Sequence, residues 1–203
     1  MTASGPAYRP DIDGLRAIAV LAVVAYHAFP GAVPGGFVGV DVFFVISGFL
    51  ITSIVAGALE RGRFSLRGFY ARRIRRIFPA LAVVLAACLA AGWWLLDPGE
   101  YRALGRHAAA AALCVPNLLS WQEAGYFDTA SELKPLLHLW SLGVEEQFYL
   151  LWPLLAWLLW RTRRALRPAI AAVALASFGA GLVLLARDPV GAFFLPHARV
   201  WEL

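Results

Sequence analysis

The 203-residue chain is 61% hydrophobic and only 15% charged, with 18 Lys plus Arg against 13 Asp plus Glu and a formal net charge of +5. Soluble domains average about a quarter charged residues, so this composition excludes an ordinary soluble fold and leaves a polytopic membrane protein. The basic surplus is almost wholly Arg, with Lys134 the single Lys, which points to cytoplasmic loops; no basic, aromatic-interleaved stretch is expected outside the membrane to suggest nucleic acid.

In chain order, residues 1 to 10 are a short polar lead-in. The first apolar run, from about Ile12 to Phe29, has no basic n-region followed by a cleavable apolar stretch, so it is predicted to be a retained span. A Pro/Gly turn over residues 30 to 36 leads to a second span from about Phe37 to Leu59, where Gly35 and Gly39 at i, i+4, with Ser47-Gly48 further on, would permit close helix approach. Residues 60 to 76 carry Arg61, Arg63, Arg67, Arg72, Arg73, Arg75 and Arg76 with aromatic and aliphatic residues between them, a basic amphipathic segment expected at the cytoplasmic interface. A third span follows from about Ile77 to Leu96, ending in Trp93-Trp94 and then an acidic turn expected outside.

Parity constrains the remainder. The next Arg cluster, Arg161, Arg163, Arg164 and Arg167, should also be cytoplasmic, so an odd number of crossings separates it from Leu96. Residues 105 to 121 begin with Arg106-His107 and contain Pro116-Asn117, which makes a poor span; 142 to 160 make a good one. The first is therefore expected to be re-entrant, and 122 to 141, with Glu123, Asp128 and Glu132 against Lys134, an external loop. A further span from about Ala169 to Ala186 and an external connection from Asp188 to Pro196 precede what looks like the start of another helix. The expectation is an all-α, polytopic transmembrane helix bundle. It comprises about five full spans plus a re-entrant or partial segment, forming one membrane-embedded domain over 1 to 203, truncated at its C-terminus.

Ionisable groups inside lipid-length segments are functional candidates. Arg16 and His27 are eleven residues apart, three helical turns plus about 20°, so they share one face roughly 16 Å apart along the axis. With the N-terminus inside, His27, Asp41, Glu145 and Glu146 all fall in the outer half, an acid/base set in which a carboxylate on one imidazole nitrogen would fix the tautomer. Each has a plainer alternative: an interhelical hydrogen bond for His27, helix-start acids for Glu145 and Glu146, and a positive-inside anchor for Arg72 to Arg76. Cys88 and Cys114 are expected to be small buried hydrophobes. There is no Walker A loop, Gly-x-Gly-x-x-Gly, zinc-spaced Cys/His set or Gly-x-Ser-x-Gly elbow, and no metal is expected.

Four motifs in order resemble the acyltransferase-3 family of bacterial membrane O-acyltransferases. They are Tyr8-Arg9-Pro10-Asp11-Ile12-Asp13-Gly14-Leu15-Arg16 with the spacing to His27, the run from Gly39 to Ile51, the run from Phe69 to Pro79, and the run from His138 to Leu150. The resemblance implies transfer of an acyl group, commonly acetyl from cytoplasmic acetyl-CoA, to a hydroxyl of a cell-surface glycan or lipid-linked saccharide. The site would lie in the bacterial inner membrane with the N-terminus cytoplasmic. It places the functional signatures on Arg16 and His27 and on Arg73-x-x-Arg76, with Arg72-x-x-Arg75 overlapping. By this reading His27 is catalytic with Glu145, Glu146 or Asp41, while Arg16, Arg72, Arg73, Arg75 and Arg76 serve the acyl-CoA. No permanently bound cofactor is implied. A different class, a transporter or channel segment relaying protons or cations through the same groups, is the competing reading. An inactive truncated fragment is a third.

Overall fold

The computed structural model describes residues 9–124, 134–161 and 166–203. Among these, all regular structure is helical. Tyr8, Asp128, Glu132, Arg163 and Arg164 lie outside the described residues. The chain divides into two compact units, Met1–Leu50 with Glu202–Leu203, and Ile51–Trp201.

In the first unit, α1 (Pro10–Ala28) opens with Pro at its first position and Asp11 and Asp13 in its first turn, which suit the free N–H groups and the positive dipole end. A 3-10 turn, Gly36–Val38, then leads into α2 (Gly39–Glu60). The close approach falls on Gly36 and Gly39 rather than on Gly35 and Gly39. A Cβ at Gly36 would overlap the Ala22 carbonyl and one at Gly39 the Ala19 carbonyl, whereas Gly35 faces open space. The cause is the 3-10 turn, which stacks residues three apart and so aligns 36 with 39 against α1. Gly48 lies still closer to the Leu203 main chain, and Phe44 is fully buried.

The second unit contains the later part of α2 and all of α3 to α9. The basic segment and the third span, expected as separate elements, form one 30-residue helix, α3 (Leu66–Leu95), capped by the Ser65 hydroxyl, which accepts from the Gly68 N–H at 3.2 Å. No helix stop lies between Leu66 and Pro79, and arginine is a good helix former, so the charged turns continue directly into the apolar ones. Helix α4 (Pro98–Ala112) starts with a capping box between Asp97 and Glu100 and doubles back along α3. Leu104 and Ala108 pack with Leu85, Cys88 and Leu89, and Gly92 leaves the room that Leu104 fills. Cys114, in the left-handed region at φ 60°, and Pro116 break the path before α5 (Pro116–Glu123). Residues 98–123 thus fold as helices of 15 and 8 residues, neither long enough to cross a bilayer. Cys88 and Cys114 are both free thiols.

Helix α6 (Leu139–Arg161) is followed by α7 (Leu166–Arg187), α8 (Pro189–Phe194) and α9 (Pro196–Arg199). The stretch after Asp188, expected as a plain connection, is therefore helical. Among the described residues three helices are long and apolar enough to span a membrane: Gly36–Glu60, Leu66–Leu95 and Leu166–Arg187. Of the five spans expected, those on α1 and α6 fall short of that apolarity, because α1 carries Asp11, Asp13 and Arg16 and α6 carries Glu145, Glu146 and Gln147.

Candidate functional site

In the first unit, Arg16 and His27 both lie on α1, at the spacing the sequence demands. Arg16 is half-buried and 3.9 Å from Asp13, one turn back. The His27 Nδ1 lies 2.8 Å from the Val23 carbonyl, which can only accept, so Nδ1 carries a proton. The helix's own backbone thus orients the ring through Nδ1. Tyr26 and Phe37 stack edge-on beside it, with Tyr26 to His27 ring centres 5.1 Å apart. Asp41 lies in the first turn of α2.

In the second unit, α3 and α6 run antiparallel in contact. The Tyr70 hydroxyl donates to the Leu150 carbonyl at 2.7 Å, while Ile77, Phe78 and Leu81 meet Leu139, Leu142 and Gly143 across a narrow apolar crevice edged by Glu146. This register sets Glu145 and Glu146 level with the arginine-bearing turns of α3. They had been expected in the half opposite the arginines; the difference arises because α6 starts at Leu139, and its acid pair falls in the second turn beside α3. Among the four candidate arginines, Arg73 turns inward while Arg72, Arg75 and Arg76 are exposed. The Arg73 guanidinium sits 5.6 Å over Phe69 and 5.1 Å over Tyr149, and the Tyr149 hydroxyl donates to Glu145 Oε2 at 2.7 Å. Arg76, Glu145 and Glu146 are all near enough for their charges to act on Arg73. One buried tyrosine, 6% exposed, therefore joins the cationic end of α3 to the acid pair of α6.

Two further polar groups were not singled out from sequence. Asn117 is fully buried; its amide donates to the Phe194 carbonyl at 3.1 Å, and Gln147 donates to Asn117 Oδ1 at 2.8 Å and to the Cys114 carbonyl at 2.9 Å. Gly143 makes this possible, since a Cβ there would strike Asn117 and Pro116. Glu123 is the hub of the second group, reaching His107 at 2.8 Å, Arg106 at 3.2 Å and Lys134 at 3.5 Å. The available signal was the spacing Leu104, His107, Ala108, Ala111, which puts His107 on the packed face of α4. Among the described residues no group of three metal-ligating side chains occurs.

Apolar helices long enough to cross lipid, with ionisable groups buried between them, define a multi-pass helical membrane protein with a polar site. Residues 9–199 match the family model of the acyltransferase domain of acyltransferase-3 type, and the chain belongs to that family. Among curated proteins it is 43% identical over 157 residues to the peptidoglycan O-acetyltransferase OatA of Listeria monocytogenes, covering 75% of this chain and 25% of that protein. It is 41% identical over 152 residues to the putative peptidoglycan O-acetyltransferase YrhL of Bacillus subtilis, covering 72% and 23%. To the O-acetyltransferase OatA of Staphylococcus aureus it is 43% identical over 154 residues, covering 73% and 25%. The chain thus spans about a quarter of the length of these relatives. No solved structure matches.

Proposed function

We propose that this chain forms part of a membrane O-acetyltransferase that moves an acetyl group from acyl-CoA, held by the arginine-bearing end of α3 on the cytoplasmic side, to a hydroxyl of a peptidoglycan-like glycan outside. The observation that carries the reading is the Arg73–Tyr149–Glu145 arrangement, which aims one guanidinium inward and holds it by two aromatic faces and a charged neighbour. A plain topological anchor would leave all its arginines in headgroup water. Coenzyme A carries a pyrophosphate and a 3′-phosphate, anions that a guanidinium fork binds in bidentate fashion. Arg72, Arg75 and Arg76 extend this basic surface, and Arg16 is assigned to the same donor.

In the transfer step His27 Nε2 takes the acceptor hydroxyl's proton, the new C–O ester bond forms as the thioester C–S bond breaks, and the proton leaves with the CoA thiolate. Asp41 supports the charge formed on the imidazole, and Glu145 and Glu146 serve the arginine end. The five-span topology, N-terminus inside, follows from the arginine distribution. His27→Gln in the full-length protein should insert normally and bind CoA, yet lose glycan acetylation by about 10²- to 10⁴-fold. Near-normal acetylation by that variant would remove His27 from the chemistry.

A further inference from the structure

Helix α4 turns its basic residues away from its packed face. Arg102 and Arg106 are one turn apart on the same side, and both line an open cleft of about 800 Å³ together with Trp93, Leu96, Tyr101 and Gly105. The Trp93 and Tyr101 rings meet edge-on at 5.6 Å, forming an aromatic wall. Arg106 is aimed by its contact with Glu123, which His107 and Lys134 hold in turn, while 61% of the Arg106 side chain remains exposed. Arg102 is exposed and makes no ion pair among the described residues. The nearest acids are committed to the helix cap: Asp97 Oδ1 accepts from the Gly99 and Glu100 N–H groups, and Glu100 Oε2 from that of Asp97. The two charged side chains that line the cleft, Arg102 and Arg106, are both cationic.

Trp93 comes twenty residues after Arg73 on one continuous helix, about 30 Å along its axis. The cleft thus lies at the end of α3 opposite the arginines assigned to the donor. Its size falls in the range of small-ligand pockets, and it combines an aromatic wall with two guanidinium forks, the chemistry that holds a sugar ring by its apolar face and its acid group by paired hydrogen bonds. We propose that this cleft is the acceptor subsite and that it takes an anionic saccharide, its ring against Trp93 and Tyr101 and its carboxylate or phosphate on Arg102 and Arg106. The inference rests on the acetyltransferase reading above and adds the acceptor's location and charge.

The test uses the full-length protein in phosphatidylcholine nanodiscs, titrated with the carboxylate-bearing disaccharide of N-acetylglucosamine and N-acetylmuramic acid and, in parallel, with neutral chitobiose. The acidic disaccharide should bind more tightly, and Arg102→Glu should weaken it at least about tenfold while leaving chitobiose unchanged. Trp93→Ala, at an exposed side chain, should weaken both sugars. Equal affinities for the two sugars, or no effect of Arg102→Glu, would overturn the assignment. So would discs containing phosphatidylglycerol in which Arg102→Glu alters lipid retention but not sugar binding, which would make the cleft a headgroup site. Coenzyme A titrated into the same discs separates the two levels. Failure of the wild type to bind CoA counts against the acetyltransferase reading, whereas normal CoA binding with unaltered sugar binding counts against the cleft alone.

Discussion

Tyr149 does two jobs with one side chain, and they can be separated. Its ring supports the Arg73 guanidinium and its hydroxyl donates to Glu145. Tyr149→Phe keeps the ring and removes the hydrogen bond to Glu145, so CoA affinity should fall by no more than about tenfold, the range of one lost hydrogen bond. Tyr149→Leu removes both supports and should weaken CoA binding further, because a cation–π contact out of water contributes roughly 1 to 2 kcal/mol. CoA titration on the two variants of the full-length protein checks this; equal CoA affinities in Phe and Leu variants would show that the ring does not position Arg73. Asn117 illustrates a different residue-scale rule. It is fully buried, yet its amide is satisfied at both ends by Gln147 and Phe194, which is why a polar side chain is tolerated there.

At the scale of the element, α3 shows what a sequence discloses and what it hides. The apolar run and the arginines were legible as a span and its basic flank, but not their continuity, since composition marks where lipid ends and not where a helix ends. The positions of Arg16 and His27 on one helix were legible from spacing alone. The register of α6 against α3 was not, because it is set by side-chain fit across Tyr70, Leu150 and the crevice around Leu81, and no period in the sequence reports such a fit. His107 and Glu123 were hidden for a related reason: their pairing depends on the break at Cys114. On α3 itself, Arg73 and Arg76 lie one turn apart, the spacing at which the proposal has them share the donor's phosphates. Arg73→Lys with Arg76→Lys in the full-length protein should leave the helix and its insertion intact, since both residues are good helix formers, but should weaken CoA binding about tenfold through loss of the planar forks. Unchanged affinity in the double Ala variant would reduce this segment to an anchor.

For the whole molecule, on the proposed topology, the arginines of α3 and Arg161 of α6 lie inside, and 98–123 enter from the outer side without crossing, their helices being too short to do so. The outer segment, expected over 97–141, ends before Leu139, because the start of α6 packs level with Ile77 to Leu81 within the span. In a background lacking Cys88 and Cys114, single cysteines near Gln122 should react with an impermeant thiol reagent added from outside; reaction from the cytoplasmic side alone would reverse the topology. The satisfied amide of Asn117 also sets an order of assembly. Its partners Gln147 and Phe194 lie thirty and seventy-seven residues further along the chain, so when α5 leaves the ribosome neither has yet emerged to meet it. Until α6 and then α8 arrive, that segment has every reason to remain in water or at the headgroups, since entering lipid would strand an unpaired amide. The short helices between α3 and α6 are therefore late guests of the membrane, admitted by elements synthesised after them, and the maturation of this region is timed by translation of the sequence that follows.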